Sequence, residues 1–257
     1  MNFAALDLSI LGPALVAGCL VLATHVPLGR EVLRRGIIFI DLAVAQMAGL
    51  GVIAASTLGF EAHGVEAQIA AFSSALIGGL VLSWTDAKFS ETQEALIGVS
   101  FVLAATGGIL LLANNPRGGE ELQNLLVGQI LWVNLSGLWP AAIATLLVLI
   151  ALPIIGDRFG RAGFYLLFGI SVTVSVQLVG IYLVFASLIV PALAIRKRAR
   201  FALPIGYAIG LVGYLSGLIV SALFDFPTGA VIVWTVALVA ILFAVISSKV
   251  TGKTEYT

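Results

Sequence analysis

Residues 162–195 read AGFYLLFGISVTVSVQLVGIYLVFASLIVPALAI, and residues 196–200 read RKRAR. Thirty-four residues pass without a charge, and four cations then arrive within five positions. A bilayer core takes about 20 apolar residues per helix, so this stretch is too long for one crossing and too apolar for a soluble fold. Gly180 is its one break. It reads as two short spans, 163–179 and 181–195, or as one long helix plus a re-entrant piece.

The same alternation runs outward in both directions. No charge lies between Asp7 and the cluster Arg30, Glu31, Arg34, Arg35, and none lies in 201–224 or 226–248. Further spans are read at 8–28, 37–58, 68–84, 95–113, 138–155, 202–224 and 229–248. The chain is 60% hydrophobic and 10% charged, and no connecting segment is long enough to fold alone. The expected fold is all-α, a polytopic transmembrane helical bundle of eight or nine spans, with residues 1–257 as one transmembrane domain. Met1 to Asp7 lacks the basic region of a signal peptide, so the first apolar run is expected to be retained as a helix.

Charge sets the orientation. With residues 29–36 inside and nine crossings, Arg30, Arg34, Arg35, Lys88, Arg158, Arg161, Arg196, Lys197, Arg198, Arg200, Lys249 and Lys253 all fall on the inner side. Only Arg117 falls outside, as the positive-inside rule requires. The outer loops are acidic: Asp7, Glu61, Glu66, Glu120, Glu121 and Asp225. Residues 122–156 also exceed one span. Leu122, Leu125, Leu126, Gln129 and Ile130 recur at helical spacing, and Trp132 and Trp139 follow. A short amphipathic interfacial helix ahead of the 138–155 span fits this pattern. Gly206, Gly210, Gly213 and Gly217 form two GxxxG intervals, a ridge for close approach of another helix, either of this chain or of a second subunit.

Several functions are excluded by what is missing. There is no G-x-x-x-x-G-K-[ST] phosphate loop, no HExxH, no GxSxG and no cysteine-rich site. Cys19 is the one cysteine. No basic tract interleaved with aromatics points to nucleic acid. No cofactor is expected.

Polar residues within spans carry the functional reading. Asp41 and Gln46 lie in the second span. A carboxylate in hydrocarbon is costly and faces a bundle interior or wet cavity. Asp41 reads as a cation-attracting group on a translocation path, or as an interfacial partner of Arg34 or Arg35. Glu94 opens the fourth span and suits its positive N-terminal dipole. His25 reads as interfacial. Ser171, Thr173, Ser175 and Gln177 make a polar stripe suited to interhelical hydrogen bonds. Glu61, His63 and Glu66 share one outer loop and form a weak cation attractor.

The order of segments resembles the membrane permease subunits of bacterial ABC-type metal-ion importers, the zinc/manganese/iron group. The residues that carry the likeness are His25-Val-Pro-Leu-Gly29 with Phe39-Ile-Asp41, Glu94-Ala-Leu-Ile-Gly98, Leu125-Leu-Val-Gly128-Gln-Ile-Leu-Trp-Val133, Leu188-Ile-Val-Pro191-Ala192 and Asp225-Phe-Pro227-Thr228-Gly229. The resemblance implies a bacterial cytoplasmic membrane location and a path framed by two copies of the permease. It also implies a cytoplasmic ATPase subunit that hydrolyses ATP and an extracytoplasmic solute-binding protein. The family's second helix carries Asp-x-x-x-His, which would make Asp41 and Gln46 the metal contacts here. This chain departs from that motif: Gln46 stands five residues on, and five residues turn a helix by about 140°. The family's longer cytoplasmic segment is reduced to Gly156–Gly163. The alternatives are an ion-gradient-driven secondary transporter and an ABC permease for a non-metal or metal-chelate substrate. Against the former stand the lack of an internal repeat and the few intramembrane ionisable groups.

The threading predicts a labelling pattern. On a Cys19→Ser background, Arg198→Cys reacts only from the cytoplasmic side, and Glu61→Cys reacts from outside. External labelling at position 198 would overturn the orientation.

Overall fold

Gly180 splits the long apolar stretch into two helices. Its φ of 80° lies in the left-handed region that a Cβ disfavours. The computed structural model describes residues 7–61, 64–158, 160–198 and 200–251. Its helices are α1 (Leu8–Arg35), α2 (Ile40–Thr57), α3 (Val65–Lys88), α4 (Gln93–Leu112), α5 (Gly118–Val127), α6 (Trp139–Arg158), α7 (Gly160–Val179), α8 (Ile181–Ile195), α9 (Ala202–Phe224) and α10 (Thr228–Thr251). Among the described residues no strand occurs, and seven helices are long and apolar enough to cross a membrane: α1, α2, α3, α4, α7, α9 and α10. The apolar helices Trp139–Ile154 and Ile181–Ile195 are shorter. The expected all-α bundle is therefore present. His63 and Lys253, which entered the outer-loop and inner-side readings, lie outside the described residues.

The first span is longer than its apolar run. The expected end at 28 is passed, and α1 continues through Pro27 to Arg35. Proline removes one i→i−4 hydrogen bond, here to Ala23. The Ala23 carbonyl instead accepts the Tyr207 hydroxyl of α9 at 3.0 Å. Gly36, at φ 71°, then ends the helix by donating to the Val32 and Leu33 carbonyls. The expected interfacial helix is α5, with Leu125 and Leu126 turned onto the core.

The glycine ridge of α9 meets helices of this same chain. A Cβ on Gly206 would lie 2.8 Å from Val26, and one on Gly210 would lie 2.5 Å from Leu22, both of α1. Further along the same face, Cβ atoms on Gly213 and Gly217 would each lie 2.7 Å from the Cα of Val236 and Ile232 of α10. The N-terminal half of the ridge seats α1 and the C-terminal half seats α10. Thr235 of α10 adds a hydrogen bond to the Gly213 carbonyl at 2.7 Å.

Contacts between helix ends gather the chain into two poles. At one pole Arg161 of α7 faces Asp86 of α3 at 3.5 Å, and Arg198 donates to Ser247 of α10. At the other, the turn after α5 packs Gly128 against Val179 and Gly180, and Val127 against Gly229. The Asp225–Gly229 turn is closed by Ser221, which donates to the Phe226 carbonyl at 2.7 Å and pairs with Thr228 at 2.5 Å. Arg34, Arg35, Arg161 and Arg198 thus gather at one pole, where Glu31 and Asp86 pair with three of them.

A methyl group on Gly213 must push α9 from α10, because its nearest neighbours include Val236 backbone. Gly213→Ala is expected to cost about 1–3 kcal/mol and to lower the melting temperature of the purified protein. Gly98→Ala, where nothing lies within 4 Å, leaves it unchanged or slightly raised.

Candidate metal path

The site is built around α2, which packs against α3, α4, α7 and α8. Its small residues allow this. Ala43, Ala45, Ala48, Gly49 and Gly51 are all buried, and Ser74 of α3 donates to the Met47 carbonyl at 2.6 Å.

Asp41 lies in the first turn of α2 and is fully buried. Neither carboxylate oxygen has a hydrogen-bond partner. The interfacial ion pair is not formed: Arg34 and Arg35 both engage Glu31, each at 2.6 Å. Arg35 also lies 4.3 Å from the centre of the Phe164 ring. The N-terminus of α2 lies well short of the inner end of α8, with Phe39 itself about half exposed. Phe39, just before it, stacks on Phe185 with ring centres 6.5 Å apart. Phe185 is ten residues short of the end of α8, about 15 Å at the helical rise. Glu94 caps α2 rather than serving its own helix alone, since its Oε1 accepts the Phe39 N–H at 3.2 Å. The positive end of the α2 dipole supports Asp41 in part, without a neutralising partner.

Gln46 is buried as well, at 6% exposure. Because α2 is regular from Ile40 to Thr57, Gln46 stays rotated by about 140° from Asp41. The two do not share one face of the helix. Among the described residues no group of three His, Cys, Asp or Glu side chains is placed to hold a metal ion.

A cavity of about 200 Å³ opens at the acidic pole, bounded by α2, α3, α5 and α7. Its apolar wall includes Ala48, Val52, Ile53 and Leu125. Its polar groups are Ser56, Gln68, Glu121, Asn124, Gln129 and Gln177. Glu121 accepts from the Asn115 amide at 2.9 Å. Every polar side chain in this cavity offers oxygen or amide chemistry, and none is an imidazole or a thiolate. Its floor on α2 is aligned with Asp41. Ala48 stands seven residues on, a rotation within about 20° of two full turns and a rise of about 10 Å. Ala45, between them, is fully buried. Val44 lies between them too and is also fully buried, and neither it, Ala45 nor Asp41 lines the cavity.

His25 departs from its interfacial reading. It is fully buried, and its Nδ1 lies 2.9 Å from the Val21 carbonyl. A carbonyl only accepts, so the proton sits on Nδ1 and Nε2 carries a lone pair, which has no partner. Thr24 lies 3.0 Å from Nδ1 and accepts from Ser171 of α7 at 2.8 Å. Of the polar stripe, Ser171 and Thr173 thus make hydrogen bonds inside the bundle, whereas Gln177 is exposed to the cavity. The cavity's amides escape sequence reasoning because they come from separate elements, with no spacing that links Gln68, Asn124 and Gln177. The faint signal was an exposed glutamine ending an otherwise buried stripe.

This architecture has relatives. The chain matches the model of the ABC 3 transport family over residues 7–160 and 155–248, and it belongs to that family. It is 25% identical to the manganese transport system membrane protein MntC of Halalkalibacterium halodurans, covering 89% of this chain and 84% of the relative. It is also 25% identical to the high-affinity zinc uptake system membrane protein ZnuB of Haemophilus influenzae, covering 87% and 92%. Its fold is similar to a chain of PsaBC from Streptococcus pneumoniae, solved with a Fab. The TM-score is 0.72, with 19% identity and 90% of each chain covered. The chain is a multi-span helical permease of the ABC transporter class.

Proposed function

We propose that this permease conducts a divalent metal ion inward across the bacterial cytoplasmic membrane, from the amide-lined cavity to Asp41 and onward past the α2 N-terminus. The observation that carries the reading is the buried, unpartnered Asp41 carboxylate beneath the floor of that cavity. A carboxylate left without a partner in a bundle interior is expensive to fold, and a passing cation is the partner that would offset the cost. Gln46 is proposed as a separate second contact, since it lies on another face of α2 from Asp41 and does not complete one site with it.

The donor chemistry favours manganese over zinc. Carboxylate, amide oxygen and water suit harder ions, whereas zinc prefers imidazole and thiolate. Gln46 stands where the related motif has histidine. The names of the manganese and zinc relatives agree with a metal of this size and charge.

The remaining assembly follows from the same reading. Two copies of the chain frame the path, an extracytoplasmic solute-binding protein delivers the ion at the acidic pole, and a cytoplasmic ATPase docks at the basic one. The buried stretch of α2 between Ala48 and Asp41 then corresponds to the closed step of alternating access. We propose nine crossings, with α6 and α8 spanning alongside the seven longer helices. The 15 residues of α8 cover about 22 Å. Arg196, Lys197 and Arg198 extend it by reaching to the headgroup level.

Asp41→Asn keeps the shape of the side chain and removes its charge. Manganese uptake by the whole transporter is expected to fall at least about tenfold, because a charge contact at an effective dielectric of about 20 is worth several kcal/mol. The variant's melting temperature should stay close to that of the wild type, since the shape is kept and the buried polar group is still without a partner. Gln46→His should shift preference towards zinc. Normal uptake in Asp41→Asn removes the carboxylate from the path. Uptake by the chain alone in liposomes, driven only by a proton or sodium gradient, would overturn the ATP-driven reading.

A further inference from the structure

A second cavity lies at the basic pole, between the ends of α1, α8 and α9. Its volume is about 740 Å³, larger than the cavity at the acidic pole. Three guanidinium groups border it: Arg30 and Arg34 of α1, and Arg196 at the end of α8. One carboxylate, Glu31, stands against them, and it is already shared by Arg34 and Arg35. Arg30 and Arg196 have no ion-pair or hydrogen-bond partner among the described residues. The rest of the wall is apolar, with Pro27, Leu193 and Leu203 among its members.

The geometry points to an anionic phospholipid as the resident of this cavity, its phosphate held by Arg30 and Arg196 and its first acyl methylenes laid along Pro27, Leu193 and Leu203. Arg and phosphate match in charge and in hydrogen-bonding shape. Pro27 and Arg34 share one face of α1, seven residues apart, so the cavity reaches about 10 Å along the helix. A compact free anion would fill only the cationic rim of such a space. A soluble protein surface would reach that rim but not the apolar depth. Basic pockets between helices at the cytoplasmic level are the recognised setting for acidic headgroups. The site also sits where it would matter for motion. Gly29 of α1 packs directly on the backbone of Leu188 in α8, and α1 seats the α9 ridge. A lipid bridging Arg30 to Arg196 ties together the inner ends of α1 and α8. The inference stands independently of which solute is transported.

The test uses the permease purified in detergent from bacterial membranes. Native mass spectrometry is expected to find phosphatidylglycerol retained on the wild-type chain. The double variant Arg30→Gln, Arg196→Gln should retain about tenfold less, whereas Lys197→Gln, whose side chain is outside the cavity, should match the wild type. After delipidation, added phosphatidylglycerol should raise the melting temperature of the wild type and of Lys197→Gln, and not that of the double variant. Phosphatidylcholine should protect none of them. Equal retention in the double variant overturns the assignment. Protection by inorganic phosphate equal to that by phosphatidylglycerol also overturns it, as the site would then take a free anion. Loss of the co-purifying ATPase from the double variant, with lipid retained, would assign the surface to protein docking instead.

Discussion

Lipid tails are as apolar as leucine, so helices in a membrane gain no hydrophobic advantage from packing against one another. What remains is close backbone approach and the few polar bonds that cross between helices. This bundle uses both at the same places. Where α9 lies against α1, Gly206 and Gly210 bring the backbones together and Tyr207 bonds the carbonyl freed by Pro27. Where α9 lies against α10, Gly213 and Gly217 do the first and Thr235 the second. Gln93 of α4 joins α3 and α7 through the Leu82 carbonyl and the Tyr165 hydroxyl. Ser187 of α8 and Tyr214 of α9 pair at 2.8 Å. Each small residue would be a liability without its polar neighbour, since closeness alone fixes distance and not register.

The charge pattern made much of this legible. Long uncharged runs marked the helices, and Arg and Lys clusters marked one pole, because both follow from the cost of moving charge into hydrocarbon. The break at Gly180 was visible for a local reason: only glycine accepts that backbone angle cheaply. The extension of α1 to Arg35 was hidden, because proline and the charges of 30–35 both argue for an end. The compensating hydroxyl lies on Tyr207, far away in sequence. The partner of the glycine ridge was equally hidden, since a GxxxG interval says that something approaches closely and not what. At the site, Asp41 stood out as a lone carboxylate in an apolar span. Its escape from Arg34 and Arg35 depended on Glu31, one helical turn before them, taking both guanidiniums.

That competition has a functional consequence. Glu31 pairs with both arginines and holds their positive charges at the end of α1. Were either arginine free to reach Asp41, the carboxylate would be neutralised by a permanent partner, and a transient cation would have to displace it. Keeping Asp41 empty costs stability, and unmet polar groups of this kind collect where function requires them. His25 Nε2, Gln93 Oε1 and Glu94 Oε2 are the other buried side-chain atoms without a partner among the described residues, and of these residues His25 is held through its second ring nitrogen. It is anchored to its own helix and to α7 through Thr24 and Ser171, which makes it a fixed element of the α1–α7 contact.

On the proposed reading, the same helix ends connect the path to the energy source. The inner ends of α1 and α2 are joined by the short segment from Gly36 to Phe39, so any tilt of α1 is passed to the start of α2 and hence to Asp41. Glu94 clamps that start from α4, through the Phe39 N–H. Phe185 of α8 holds it from the opposite side, by stacking on the Phe39 ring. A force applied at the basic pole to α1 or α8 would therefore be passed to α2, which also supplies Ala48, Gly49, Val52, Ile53 and Ser56 to the amide-lined cavity. Val44 and Ala45, both fully buried, flank the line from Ala48 to Asp41 on α2. On the reading proposed above, an inward-moving ion must part these two side chains, and the unpartnered carboxylate beyond them is the contact it would gain.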